Sequence, residues 1–246
     1  MYDYYLGGKD SYPVDEEAAG RVISLVPHIK VVAQANRRFM HRASRFLADR
    51  GIHQFLDIGT GIPTEPNLHQ VVQAVSPRAH VVYVDNDPVV LRHAEALLRS
   101  TPEGKTQYIE ADVREPEKII EDARATLNFE GPVALSLVAL LHFVSDEHKP
   151  YELVRELLSS LPSGSFLMLS HVTGDFDPAA WDKAVEIYRK SGVPAQVRSR
   201  DEFARFFDGL ELVDPGVQVA TRWHPDPDQE INDAQVPLYV GVAQKP

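Results

Sequence analysis

The 246-residue sequence predicts an α/β protein built on a seven-stranded, mostly parallel sheet, wound on both faces and closed by an antiparallel last strand. Three observations carry that expectation. Short apolar runs alternate with helix-period segments of roughly 10–14 residues, a pattern that requires parallel strands joined by right-handed crossovers. The run Val81-Val82-Tyr83-Val84 is apolar without alternation, as suits a strand covered on both faces. The last two strand-like segments are joined by a proline-rich loop with no helical period, so they should pair antiparallel.

The elements follow in order. Residues 1–20 show no helical or strand period, yet Tyr2, Tyr4, Tyr5 and Tyr12 crowd around Gly7-Gly8-Lys9. So aromatic a segment suits an ordered arm bent at its glycines better than a disordered terminus. Val32, Ala35, Phe39, Ala43, Phe46 and Leu47 recur at steps of three and four, which predicts a helix over 31–47 stopped near Gly51. Phe55–Ile58 is the first strand and runs into Gly59-Thr60-Gly61. Leu68, Val71, Val72 and Val75 then give the next helix face, ended by Ser76-Pro77. The second strand is 80–85. Pro88 opens a helix facing inward through Val90, Ala94, Leu97 and Leu98. Strands at 106–112, 133–140 and 165–173 alternate with helices over Ile120, Ala123 and Leu127 and over Leu153 to Leu161. Asp177-Pro178 starts a helix through Trp181, Val185 and Tyr188, and Ser199 with Glu202 forms a capping box. Strand pieces at 210–213 and 217–221, the polar loop 223–235 and a strand at 237–243 complete the chain.

Nothing divides these segments, so one domain over 1–246 is expected, with an arm and helix at 1–50 and the core at 51–246. The chain has no cysteine, which removes disulfides, thiolate catalysis and cysteine metal sites. It has no apolar run of membrane-spanning length, and its opening does not resemble a signal peptide; a soluble, cytoplasmic protein is expected. A net charge of −11 repels phosphate backbones, so no nucleic-acid partner is expected unless a local basic stripe supplies one. Arg37, Arg38, His41, Arg42 and Arg45 form such a stripe, which reads as a solvated helix face with room for one arginine to bind an anion.

Ligands in open α/β sheets sit at the carboxyl ends of the strands. Here those ends carry Asp57 with Gly59, Thr60 and Gly61, then Asp85 with Asn86, then Asp112 with Val113, and lastly Ala139 through His142. Gly59 and Gly61 allow positive φ and close approach of a ligand. Asp85 can accept paired hydrogen bonds from vicinal ribose hydroxyls. Asp112 could accept from an adenine amino group beside the Val113 amide, or simply cap the helix from Pro116. Asp57 could orient the turn or a bound ammonium, or be a buried structural acid. These features suit a dinucleotide and S-adenosylmethionine alike, and the turn separates the two. A dinucleotide needs a third glycine and helix-start amides for its pyrophosphate. The third glycine position holds Thr64, and Pro63 and Pro66 have no N–H to give.

Asp57-x-Gly59-x-Gly61, Asp85 and Asp112-Val113, with the antiparallel last strand, resemble the class I S-adenosylmethionine-dependent methyltransferases from Phe55 to Ala243. Tyr2-Asp3-Tyr4-Tyr5-Leu6-Gly7-Gly8-Lys9-Asp10, Ala35-Asn36-Arg37 and Val82 to Pro88 are similar to an actinomycete family of S-adenosyl methyltransferases. The resemblance implies a Rossmann-like fold and S-adenosyl-L-methionine as cofactor, but no settled substrate; a small-molecule acceptor of unknown identity is expected. It also draws Arg37, Tyr5 and Gly7 toward the pocket, Arg37 for the cofactor carboxylate unless it is a solvated surface residue. The reaction implied is in-line methyl transfer, in which the protein aligns the partners and excludes water. A base is needed only if the acceptor must lose a proton, with His142 first and His171 second in position and a structural histidine the alternative for each. No metal set is apparent. A nicotinamide oxidoreductase and a non-catalytic adenosyl-binding protein remain as alternatives on the same sheet.

Overall fold

Fully apolar β-branched runs bury themselves between helices, and the sheet is organised by where those runs lie. The computed structural model describes residues 2–8, 13–97, 99–227 and 233–246. Lys9, Asp10, Tyr12, Leu98 and loop positions 228–232 lie outside the described residues, as does the side chain of Leu97. The strands are β1 Gln54–Ile58, β2 His80–Asp85, β3 Lys105–Glu110, β4 Ala134–Leu137, β5 Phe166–Val172, β6 Glu211–Leu212, β7 Gln218–Val219 and β8 Leu238–Gln244. Their spatial order is β3-β2-β1-β4-β5-β8-β6, with β7 also on β8.

β1 to β5 pair in parallel with one another, and β8 runs antiparallel to β5 from Phe166↔Gln244 to Val172↔Leu238. The strand count is eight rather than the expected seven. A turn through Asp214, Pro215 and Gly216 splits the penultimate segment, so β6 pairs with Ala243 and Gln244 while β7 pairs with Tyr239 and Val240. Successive strands step from β1 to β3 on one side, then restart at β4 on the other. The carboxyl ends of β1 and β4 therefore flank the topological switch, where a crevice must open.

The helices are α1 Tyr2–Leu6, α2 Pro13–Leu25, α3 Ile29–Asp49, α4 Leu68–Val75, α5 Pro88–Leu97, α6 Pro116–Ala123, α7 Pro150–Ser159, α8 Pro178–Lys190 and α9 Arg200–Ala204. The first two depart from the aperiodic segment expected at residues 1–20. Neither has a strong stripe of its own, and tertiary contact holds them: Tyr5 is buried, α1 packs on α3, and α2 packs on α8. Among the described residues, no helix is long and apolar enough to cross a membrane.

The basic stripe on α3 is only partly a solvated face. Arg38 and Arg45 are exposed, but Arg42 is buried and donates through Nε to the Trp223 carbonyl (3.0 Å) and through a terminal nitrogen to that of Ala220 (2.6 Å). Trp223 itself is fully buried, edge-on to Phe39 and Phe46 at 5.4 Å. Its segment reads as polar loop in sequence, and a guanidinium bound to two carbonyls is what lets it turn inside. Replacing Arg42→Met keeps the bulk and strands those carbonyls, so it should cost about 2–4 kcal/mol of stability. A lowered urea midpoint with unchanged slope would register this; an unchanged midpoint would contradict it.

Candidate active site

β1 ends at the switch, and its chain turns away through Gly59 (φ 78°) and Gly61 (φ 63°), left-handed backbone that a side chain would strain. The turn is fastened to the end of β2. Gly59 N and Thr60 N donate to the Val84 carbonyl at 2.8 and 3.3 Å, Thr60 Oγ1 donates to it at 3.1 Å, and Gly61 N donates to Asp85 Oδ2 at 2.8 Å. A Cβ on Gly59 would stand 2.6 Å from Leu140 Cδ1, so the loop after β4 lies directly on the turn. Between Gly61 and α4 runs a loop rather than a helix start. Arg37 donates to the carbonyls of Thr64 and of Pro66, the latter at 3.0 Å, and His41 Nε2 lies 2.9 Å from the Pro66 carbonyl. The Arg37 Nε, also buried, has no partner.

A cavity of about 540 Å³ opens over this turn. Ten residues predicted from sequence meet at its wall: Arg37, Asp57, Gly59, Thr60, Gly61, Asp85, Asn86, Asp112, Val113 and Ala139. The acids differ in state. Asp57 is buried on β1 in register with Ser136 of β4, and burial pushes its carboxyl up to about 6 against the opposing pull of Arg37. Burial also raises Asp85, whose Oδ1 accepts from Asp87 N at 3.0 Å; each oxygen keeps a lone pair for a ligand. Asp112 is held well below the usual carboxylate range by Arg114, which grips both its oxygens at 2.8 and 2.6 Å, and Asn86 Nδ2 adds a bond at 3.0 Å. Asp112 does not cap α6, whose N-cap residue is Glu115.

Ala139 has φ 57°, unusual for a residue with a Cβ, and its N–H is held by Ser170 Oγ of β5 at 2.8 Å. Ser170 donates in turn to Asn36 Oδ1 (2.6 Å), Asn36 Nδ2 to Tyr2 Oη (2.8 Å), and Tyr2 to the Ala33 carbonyl (3.3 Å). This relay ties α1, α3, β5 and the loop after β4 together at one edge of the cavity. Sequence reasoning passed over Ser170, although a serine inside the apolar run of β5 was a visible signal.

Four predicted residues stand elsewhere. Tyr5 is buried with its hydroxyl 3.3 Å from that of Tyr188, Gly7 follows α1 and lines neither cavity, and from this segment it is Tyr2 that reaches the large cavity. His171 is fully buried behind the wall. Its Nε2 lies 2.8 Å from Arg198, which can only donate, so Nδ1 carries the proton and donates to the Val172 carbonyl at 2.7 Å. No lone pair is left for a substrate. Arg198 also binds the carbonyls of Leu141 and Val144 and the Asp146 carboxylate, a buried clamp that no local sequence pattern announces. His142 lines a second, smaller cavity, and burial, with Arg198 nearby, lowers its pKa to about 3. Among the described residues no group of three His, Cys, Asp or Glu side chains could hold a metal ion.

A glycine turn at the switch of a parallel sheet, with an acid at the end of the neighbouring strand, defines a Rossmann-like adenosyl-cofactor enzyme. The chain belongs to the S-adenosyl methyltransferase family, whose family model matches residues 1–246. A DUF574 family protein from Streptomyces avermitilis is 47% identical, with TM-score 0.96 over 100% of this chain and 95% of its own. A methyltransferase candidate from Thermobifida fusca is 38% identical, with TM-score 0.89 over 99% of this chain and 92% of its own. A magnesium protoporphyrin IX methyltransferase from Synechocystis, solved with S-adenosylhomocysteine bound, shares the fold at 11% identity and TM-score 0.54, over 100% of this chain and 92% of its own. None of the curated proteins matches the chain. The protein is therefore an S-adenosylmethionine-dependent methyltransferase, which sets the nicotinamide oxidoreductase aside.

Because burial raises the folded-state pKa of Asp57 above 3.8, the folded chain holds that proton more tightly than the unfolded one. Stability relative to Asp57→Asn should then fall as pH rises from about 4 to about 6 and level off above, a change on the order of 2–3 kcal/mol. Urea unfolding of both proteins across that range tests it; parallel profiles would contradict the buried, protonatable Asp57.

Proposed function

We propose that the 540 Å³ cavity holds S-adenosylmethionine with Asp85 on the ribose hydroxyls, and that the acceptor is a small molecule in the cytoplasm. The observation that carries the first part is the bond from Gly61 N to Asp85, which holds the carboxylate at the lip of the glycine turn with lone pairs to spare. Asp112 and the Val113 amide take the adenine edge, with Asn86 bridging the two acids. Gly59, Thr60, Gly61 and Ala139 offer backbone to the amino-acid end. The unpartnered Arg37 Nε gives that end's carboxylate a cation, and Asp57 faces its ammonium. The bound cofactor supplies an activated methyl: the S–C bond breaks with its electron pair left on sulfur, a bond forms to the acceptor, and any acceptor proton is released. The chain's own contribution is alignment and exclusion of water.

A nucleic-acid acceptor is disfavoured by the −11 net charge and by the fate of the basic stripe. Arg42 is spent on the protein's own carbonyls, Arg37 is buried and turned to the cofactor cavity, and burial lowers His41 to about 4, leaving it neutral at physiological pH. Residues 1–50 and 51–246 act as one domain in this scheme, because Tyr2, Asn36 and Arg37 complete a cavity floored by the sheet.

Replacing Asp85→Ala should weaken S-adenosylmethionine and S-adenosylhomocysteine about tenfold to a hundredfold, the loss of a charge-assisted pair. Calorimetric titration with both compounds and with NAD tests the assignment. Unchanged affinity in the variant would misplace the ribose, and binding of NAD alone would sink the cofactor assignment.

A further inference from the structure

The wall of the large cavity changes character along the sheet. It carries Asp112 and Arg114 after β3, Asp85 at the end of β2, and Asp57 with the glycine turn at β1, where Arg37 comes close. Past the end of β4 it continues through Phe143, Val144, Val193 and Pro194, joined by Tyr2 of α1, and none of these bears a formal charge. We propose that this uncharged end of the same cavity seats the methyl acceptor, and that the acceptor is an uncharged, predominantly apolar molecule. The assignment rests on the cofactor lying as described above.

Three links put these residues on the β5 side. Tyr2 reaches Ser170 of β5 through Asn36, by bonds of 2.8 and 2.6 Å. Phe143 stands edge-on to His142 at 4.3 Å, and His142 edge-on to His171 of β5 at 5.5 Å. The Val193-Pro194 segment is tied to the same loop where Gln196 N donates to the His142 carbonyl at 2.8 Å. The cofactor, with adenine at β3, ribose at β2 and its amino-acid end at β1 and β4, leaves this side free. Two substituents of its sulfur run along that line, and the third, the methyl, points off it. The strand ends close one flank, so a nucleophile in line with the S–C bond comes from the flank that Tyr2, Phe143 and Val193 border.

The side chains there set the chemistry. Tyr2 Oη accepts from Asn36 and donates to the Ala33 carbonyl, so the residue offers the cavity its ring. Tyr2 and Val193 are 39% and 36% exposed, large apolar groups left open at a cavity mouth. An apolar acceptor would cover them and keep water from the transfer. An ion would give up its hydration without a buried counter-charge. Arg114 grips Asp112, Arg37, Asp57 and Asp85 face the cofactor, and His148, the remaining titratable lining residue, is exposed.

The test uses full-length protein saturated with S-adenosylhomocysteine and one skeleton in three charge states: cinnamyl alcohol, cinnamate and cinnamylammonium. The alcohol should bind saturably and about tenfold more tightly than either ion. Val193→Asp, which puts a carboxylate on the exposed lip, should weaken the alcohol about fivefold or more, with the unfolding midpoint unchanged. In the complex with ¹³C-methyl S-adenosylmethionine, protons of the alcohol should show an NOE to that methyl. Either ion binding as tightly as the alcohol would overturn the proposal. So would binding of the alcohol that is indifferent to Val193→Asp or gives no NOE to the methyl. Normal S-adenosylhomocysteine binding with no saturable response to the alcohol would overturn it while sparing the cofactor assignment. Failure of the wild type to bind S-adenosylhomocysteine would instead strike at that assignment and remove the basis of this one.

Discussion

The amide of Gly61 donates to Asp85, and the architecture of the cofactor end depends on that bond being geometrically possible. It requires Gly59 and Gly61 in left-handed backbone, since only then does the turn double back over β2 and present its amides to Val84 and Asp85. It requires β2 to end level with β1, which the parallel register from Gln54↔His80 to Ile58↔Val84 ensures. It also excludes bulk at position 59, because Leu140 from the far side of the switch occupies that space. One short contact thus couples three strand ends. With Asn86 and Asp112 beside it, a row of acids lies along the cavity at unequal depths and with unequal affinity for protons.

The second organising element is α3. One face of this helix covers the sheet through Phe39, Ala43 and Leu47, as an amphipathic helix should. Its polar residues hold loops. Arg37 and His41 pin the proline segment, Asn36 fixes the relay to Ser170, and Arg42 draws Trp223 inward. Loop carbonyls that would otherwise need water receive side-chain donors from a rigid element, which fixes backbone shape at the cavity.

Much of this was legible in the sequence, and unevenly so. The bounds of β2 read off directly, because an unbroken β-branched run leaves no competing period. The acids at three strand ends were legible for the same reason: strands end where apolar residues stop. β4 was not, since expectation carried it to Leu140 while the strand stops at Leu137. Ala139 takes a conformation that alanine rarely adopts, and only the Ser170 bond from another strand accounts for it. Likewise α1 has no period to detect; the two strand pieces at 210–213 and 217–221 could be read, but their separate pairing with β8 could not. Asp57, Asp85 and Asp112 could be named from position, whereas the clamps by Arg114 and Arg198 and the targets of Arg37 depend on distant chain meeting in space.

That distance has a consequence for how the molecule is made. The carbonyls that receive Arg42 are 178 and 181 residues further along the chain. At ribosomal elongation rates that interval is about 9–36 s. Through all of it Phe39 waits without Trp223, so a nascent chain exposes an aromatic helix face long after that helix has emerged. The N-terminal quarter is synthesised first and completed last.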